Sequence, residues 1–285
     1  MAGAEFCPSY VDAQTRANPH ARLDRMMPTM GRLKGRVIAI TGGCGDIGTA
    51  TAVRLHAEGA RVALLDVRSP KAIPRAHRDS GITYIHCDVT DRSSVEAAFD
   101  QIIQKHKRLD VAIVNAGMVA NEPFLKITDE NWEATLGVNL TGAFHTAQIA
   151  ARIMVQRKPD KNGIRGKILF TGSWVQDMPW PEGTSYIVSK SGIKMMAKIM
   201  AQELASLGIR VNVLAPGLVM AGLTKRIYES NPTFRKRVGL AIPLGVMQTA
   251  ASVADGFLFL SSDDSDYMTG SVLLVDGGAT LVRRD

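Results

Sequence analysis

From residue 36 onward, short apolar runs alternate with longer segments of helical period, and this alternation is what most narrows the fold. It is the signature of a parallel sheet flanked by helices. The expected strands are Val37–Thr41, Val62–Asp66, Thr83–Cys87, Val111–Asn115, Lys167–Thr171, Val211–Ala215 and Val272–Val275. Between them Thr49–Glu58, Ser93–Lys107, Asp129–Gln156, Thr184–Leu207 and Ala250–Ser261 read as helices, several opened by a Ser, Thr or Asp cap. The class is therefore α/β: a Rossmann-type, doubly wound, seven-stranded parallel sheet with helices on both faces, in a single domain over residues 33–285. Residues 1–32 show neither period and read as an N-terminal arm or disordered tail.

A length of 285 residues with 46% hydrophobic side chains is enough for one full core. The longest apolar runs fall far short of the ~20 residues needed to cross a bilayer, so no membrane association is expected. The opening MAGAEFCPSY lacks the apolar core of a secretory signal. Cys7, Cys44 and Cys87 are an odd, irregularly spaced set with no CxxC pair, which suits free thiols in a reducing cytoplasm. The histidines show no metal-ligand spacing, and no metal is expected. The net charge of +7 sits mainly in residues 1–35 and 218–247, without a nucleic-acid motif. Nucleic acid is not an expected partner.

Immediately after the first strand comes Thr41-Gly42-Gly43-Cys44-Gly45-Asp46-Ile47-Gly48, and a helix follows at once. In that context a glycine-rich turn lets backbone amides approach a pyrophosphate, and the helix N-terminus adds about half a positive charge. A plain glycine-rich turn is the simpler alternative. Asp66, eighteen residues past Gly48, closes the second strand, where a carboxylate can hold the adenosine ribose hydroxyls and repel a 2′-phosphate. NAD is thus favoured over NADP, although Arg68 is placed to meet a phosphate and Asp66 also fits a strand-end cap.

Tyr186 and Lys190 are four residues apart on an expected helix and share one face. The lysine charge can lower the phenol pKa, so that Tyr186 takes or returns the proton of an alcohol as hydride moves. Ser173, at the end of the preceding strand region, can position the substrate oxygen, or serve only as a cap.

These motifs, with Asn115-Ala116-Gly117, Asn139, Pro216-Gly217 and the closing Asp276-Gly277-Gly278, resemble the short-chain dehydrogenase/reductase family in order and spacing over about residues 33–280. The resemblance implies that Asn139 joins Ser173, Tyr186 and Lys190 as a catalytic tetrad and holds a water linking Lys190 to solvent. It also implies that Lys190 grips the nicotinamide ribose and that Asp88 and Val89 lie at the adenine. Asn115 to Gly117 would line the cofactor cleft, with Gly42, Cys44, Asp46, Ile47 and Gly48 at the pyrophosphate and Pro216, Gly217 and Val219 at the nicotinamide end. Two departures stand out. Asp46 replaces a usual glycine, and Ala221 replaces the threonine that often follows Pro-Gly, with Thr224 three residues on.

The loop carrying Trp174, Met178 and Trp180 joins Ser173 to the Tyr186 helix and is the expected pocket wall. Residues 218–247 should form a substrate lid whose basic cluster, Lys225, Arg226, Arg235, Lys236 and Arg237, either favours an anionic substrate or is a solvated face. The stretch from Met178 to Pro216 is similar to glucose 1-dehydrogenases and to dehydrogenases of unrelated alcohols. The leading expectation is an NAD(P)-dependent oxidoreductase interconverting a secondary alcohol and a ketone, its partner a small molecule, in a homo-oligomer, usually a tetramer in this family. The alternatives are an NADPH-dependent ketoreductase of an acyl or natural-product pathway and a cofactor-binding homologue without turnover.

Overall fold

The computed structural model describes residues 31–68 and 81–282. The expected N-terminal arm, with Cys7, falls outside the described residues up to residue 30. Among the described residues the order of elements is β1 (Val37–Thr41), α1 (Asp46–Ala57), β2 (Arg61–Asp66), β3 (Thr83–His86), α2 (Arg92–His106), β4 (Val111–Val114), α3 (Asp129–Leu136), α4 (Gly142–Val155), β5 (Gly166–Thr171), α5 (Thr184–Leu204), β6 (Ile209–Pro216), α6 (Gly222–Ser230), α7 (Pro232–Ala241), α8 (Ala250–Ser261) and β7 (Val272–Val275). The seven strands form one parallel sheet in the order β3-β2-β1-β4-β5-β6-β7. None of the described helices is long and apolar enough to cross a membrane.

Side-chain alternation on the strands sorts the core into two layers. Val37, Ala39, Ala63, Leu65, Ala112 and Val114 face the side covered by α2, α4 and α5, where Phe99, Met154 and Ile193 pack on them. Ile38, Ile40, Val62, Leu64, Val111 and Ile113 face the side covered by α1 and α8, where Leu55 and Phe257 close the layer. Period-2 strands that are apolar on both faces are what a doubly covered sheet demands. A third, smaller cluster gathers Trp174, Val175, Val238, Ile242, Met247 and Ala279 beneath the segment after β6.

The helix expected over Asp129–Gln156 runs unbroken to Val155 but is not α-helical throughout. A π-helical turn, Gly137–Thr141, separates α3 from α4. One extra residue in a turn leaves the apolar periodicity nearly intact, so the sequence pattern does not show it. Helix α1 starts at Asp46 rather than Thr49, because its N-cap is Gly45, which offers no side-chain cap. The expected lid resolves into α6 and α7, the latter opened by Asn231, whose carbonyl side chain accepts the Phe234 N–H at 3.0 Å, with Pro232 in the first turn.

At the N-terminal edge of the sheet Asp110 ties β1 to β4. Its carboxylate accepts the Val37 N–H at 2.8 Å, two bonds from Arg108 at 2.8 and 2.6 Å, and pairs with Arg157 at 2.9 Å. Burial alone would raise its pKa, but the Arg108 and Val37 hydrogen bonds and the two guanidinium charges hold it below the usual 3.8. The stability it contributes is therefore present above pH 3.8 and lost as pH falls through its depressed value. Asp110→Ala leaves Arg108 and the Val37 N–H without their acceptor and Arg157 without its carboxylate, and is expected to cost about 3 kcal/mol at pH 7. Urea unfolding at pH 7 and below pH 3 checks this, the difference from the native chain shrinking in acid.

Candidate active site

Strand order reverses between β1 and β4, which both neighbour the centre of the sheet while their crossovers leave on opposite sides. In such a sheet the crevice for ligands opens at the carboxyl ends of these strands. A hydrogen-bonded clip holds this edge. Thr41 Oγ1 accepts the N–H groups of Asn115 and Ala116 at 3.0 and 3.2 Å, and Asn115 Nδ2 donates to the carbonyls of Thr41 and Gly42 at 3.1 and 3.2 Å. Thr171 on β5 donates to Asn115 Oδ1 at 3.1 Å. Gly42, at φ +63°, lies so close to this strand that a Cβ would come within 2.7 Å of Ala116 Cα. Gly48 similarly admits no Cβ, which would sit 2.4 Å from the Gly42 carbonyl oxygen. Both glycines are required for the turn and helix to pack this tightly.

The first N–H groups of α1 have no partner within their helix, and Gly45 supplies no side-chain cap. Asp66 stands beside this turn, 5% exposed. Its carboxylate accepts the Cys44 N–H at 2.9 Å and four-way contact is completed by Arg68 through its backbone N–H at 2.9 Å, Nε at 3.2 Å and a terminal nitrogen at 3.1 Å. Burial opposes ionisation of Asp66, but these bonds outweigh it and keep the carboxyl below its ordinary range. Cys44 itself is buried, and burial with the Asp66 charge pushes its thiol up to about 11. Cys87 is pushed to about 12 in the same way. Neither thiol is a nucleophile at neutral pH. Among the described residues no group of His, Cys, Asp and Glu is gathered as a metal requires.

Around Tyr186 three elements converge. The π-helical turn places Asn139 wholly inside, where Oδ1 accepts the Met118 N–H at 2.8 Å and Nδ2 donates to the Met118 carbonyl at 2.9 Å and Ser189 Oγ at 3.1 Å. Lys190, on α5, donates to the Thr171 carbonyl at 2.8 Å and lies 5.6 Å from the Tyr186 ring centre. A Cβ on Gly117 would reach within 3.5 Å of Asn139 Oδ1 and 3.7 Å of Lys190 Nζ. The bare backbone there therefore preserves a space shared by the two polar groups. Ser173 caps the 3-10 turn Trp174–Asp177 and hydrogen-bonds the Tyr186 phenol.

The electrostatics differ from the sequence expectation. Tyr186 is raised above the ordinary phenol value because burial outweighs the Ser173 hydrogen bond. Lys190 does not lower it in the free protein, and burial brings Lys190 itself down to about 8. Both groups are thus held closer to their neutral forms than in water.

A cavity of about 260 Å³ joins this cluster to the segment after β6. Trp174 and Trp180 line it, edge to face with ring centres 5.2 Å apart. Met178 does not line it but packs behind, with Trp180 and Tyr186. Ile47, Pro216, Gly217 and Val219 form the end nearest the glycine turn, where Ala221 and Thr224 both reach the cavity. Sequence reasoning did not single out Val119, Asn121, Ile187 or Phe234. Apolar residues in loops and lids carry no motif, although Phe234 is one of only two aromatics in the lid. Among the described residues the lining has no charged side chain. Of the lid's basic cluster, Lys225 pairs with Glu229 at 3.8 Å and Arg235 donates to the carbonyls of Tyr228 and Glu229 at the end of α6. Lys225 and Arg235 thus serve the helix surface, and neither lines the cavity.

A profile of the family described as Enoyl-(Acyl carrier protein) reductase matches residues 44–280. Short-chain dehydrogenase reductase 3b of Arabidopsis thaliana is 36% identical over 260 residues, covering 88% of this chain and 98% of the relative. The chain belongs to the short-chain dehydrogenase/reductase family. The (+)-borneol dehydrogenase 1 of Salvia officinalis is 37% identical over 261 residues, covering 88% of this chain and 96% of the relative. Among solved structures, a short-chain type dehydrogenase/reductase from Mycobacterium marinum superposes with a TM-score of 0.78 at 32% identity, covering 89% of this chain and 98% of that one.

Seen as a short-chain dehydrogenase/reductase, the chain accommodates both departures. Asp46 turns its carboxylate to the lid, accepting the N–H of Gly222 at 2.8 Å. Thr224 brings a hydroxyl to the cavity near the position where Ala221 lacks one. Two expected adenine neighbours are otherwise engaged: Asp88 Oδ1 accepts the Thr90 N–H and hydroxyl at 2.9 and 2.7 Å, and the Val89 side chain lies in the core.

The depressed Lys190 has a testable consequence for stability. Below pH 8 the native protein carries the full cost of a buried ammonium; between 8 and 10.5 the folded chain has released a proton that the unfolded chain retains, so stability rises with pH. Lys190→Met removes that dependence. Native Tm minus variant Tm is expected to increase between pH 7 and pH 9.5 in paired thermal melts.

Proposed function

We propose that this oxidoreductase interconverts a compact, uncharged, mostly apolar secondary alcohol and its ketone, with Tyr186 as the acid/base group. The observation that carries the substrate class is the cavity of about 260 Å³, walled by Trp174, Val175, Trp180, Ile187, Leu218 and Phe234 and, among the described residues, without one charged side chain. A sugar or a carboxylate entering it would lose hydration for few compensating partners. The relative named for borneol, an alcohol on a compact hydrocarbon frame, fits the same reading.

The residues present fit a nicotinamide dinucleotide: the close-packed glycine turn, the open first turn of α1 and the buried Asp66 form the cradle. When bound, that group supplies or accepts the hydride. Asp46, Ile47 and Gly48 would offer backbone N–H groups to its pyrophosphate, and Asn115, Ala116, Gly117, Pro216, Gly217 and Val219 would border it. Ser173 holds the substrate oxygen beside the phenol. Tyr186 takes the alcohol proton in oxidation and returns it in reduction, and Lys190 passes charge and proton through the space beside Gly117 and Asn139 toward solvent. Asp66 supports NAD, since a carboxylate held ionised by the Cys44 N–H and Arg68 repels a 2′-phosphate. Arg68, its side chain about half exposed, is the observation that favours NADP, because it can swing outward from Asp66.

The apolar residues Val188, Met195 and Ile199 along exposed positions of α5, with Phe144 on α4, support a homotetramer. The buried, unpaired thiols of Cys44 and Cys87 support a cytoplasmic location.

Nicotinamide fluorescence titration is expected to show at least ~10-fold tighter binding of NADH than NADPH, a preference lost in Asp66→Ala; the reverse preference overturns NAD. Tyr186→Phe is expected to lower kcat for a cyclic terpene alcohol by ~10²–10⁴ with little change in NADH affinity. Because the phenol is raised, oxidation in the native enzyme should accelerate with rising pH while ketone reduction slows, which initial rates in both directions check.

A further inference from the structure

The N-terminal edge of the sheet carries a second cavity, of about 180 Å³, with a different chemistry. It lies where β1, β4 and β5 begin, a strand length from the cofactor crevice at their carboxyl ends, roughly 15 Å at 3.3 Å per residue. Six cations line it: Lys34, Arg36, Arg108, Arg157, Arg165 and Lys167. The acids in its lining are Asp110 and Asp160.

The pairing of these charges leaves a surplus. Arg108 and Arg157 share the single carboxylate of Asp110. Arg36 pairs with Asp263, and the buried Lys167 pairs with Asp266 at 2.8 Å while donating to Ser265 Oγ at 2.9 Å. Arg165 donates only to carbonyls, those of Arg157 and Leu207, at 2.8 and 2.9 Å. The Asp160 side chain is taken by the backbone N–H groups of Asn162 and Ile164, both at 2.9 Å. Lys34, exposed at the rim, has no carboxylate partner among the described residues. With the flanking Asp263 and Asp266 counted, two positive charges remain unneutralised among the described residues, in a concavity that focuses their field. The guanidinium groups of Arg36, Arg157 and Arg165 are held by carbonyls, and that of Arg108 by Asp110, so donor directions are fixed before any ligand arrives, which lowers the ordering cost of binding one.

We propose that this cavity is a binding site for a small molecule carrying a diphosphate, distinct from the dinucleotide crevice. Tetrahedral phosphoryl oxygens match forked guanidinium donors, and two linked phosphoryl groups match the excess of two charges. Inside a pocket with room for several waters, the ion replaces solvent and bridges Arg165 and Lys34 across the rim.

The test uses inorganic pyrophosphate as probe, titrated calorimetrically into the full-length protein with and without saturating NADH, in parallel with ADP and inorganic phosphate. The expected result is a pyrophosphate site that persists with NADH present, weakens with added salt, binds inorganic phosphate less tightly, and loses affinity at least ~10-fold in Lys34→Glu, which reverses one rim charge. Lys34→Gln should give a smaller loss in the same direction. Both changes are at an exposed position outside the active site, so NADH affinity and turnover should be unaffected. ADP binding with the same Lys34 dependence identifies a nucleotide as the occupant, and pyrophosphate binding alone identifies the free ion. Binding abolished by NADH and indifferent to Lys34→Glu places the ion in the cofactor crevice and overturns the proposal, as does the absence of binding at low salt.

Discussion

The clip formed by Thr41, Asn115 and Thr171 is the contact on which the rest of the active site depends. It joins the carboxyl ends of β1, β4 and β5 where the sheet order reverses, and it uses both the main chain and the side chain of Asn115 to do so. Through it the glycine turn at Gly42 is held within contact of Ala116, while the Thr171 carbonyl is left pointing at Lys190. The cradle for a dinucleotide and the anchor of the lysine are thereby fixed by one small network.

Much of the fold was legible because the strands repeat with period two and are apolar on both faces, so their number and order along the chain follow from pattern alone. Val37–Thr41, Ala250–Ser261 and Val272–Val275 match residue for residue. What stayed hidden depends on geometry that carries no pattern. The π-helical turn at Gly137–Thr141 adds a residue without altering the apolar stripe, yet it is what carries Asn139 inside. The start of α1 was missed because Gly45 caps without a side chain. In the candidate site, proximity was legible where two residues stand at a set spacing, as with Tyr186 and Lys190, which the structure brings together. It was illegible where ordinary apolar residues from distant segments converge, as Val119 and Phe234 do.

The electrostatics of Tyr186 and Lys190 show why spacing was not enough to fix their state. On an open helix face, a lysine four residues away would help the phenol ionise. Here both side chains enter a closed site, and desolvation acts on each before they act on each other. A phenol kept protonated and a lysine that parts with its proton near pH 8 suit reversible proton exchange better than a permanent ion pair does, because neither partner is locked in one state. The cost is stability, which the large two-layer core can absorb.

Charge is distributed in this molecule by pole and not by domain. A chain with net charge +7 places no charged side chain, among the described residues, in the cavity beside Tyr186, and turns Lys225 and Arg235 of the segment after β6 to an ion pair and to carbonyls at the end of α6. At the opposite edge of the same sheet it collects six cations around two carboxylates. An apolar substrate gains nothing from nearby lysines, since each would hold water that the pocket must shed. Positive charge placed a strand length away, beyond the ~8 Å over which salt screens exposed charges at physiological strength, leaves that apolar chemistry undisturbed. The parallel sheet makes this separation possible, because its two ends are chemically independent surfaces built from opposite ends of the same strands.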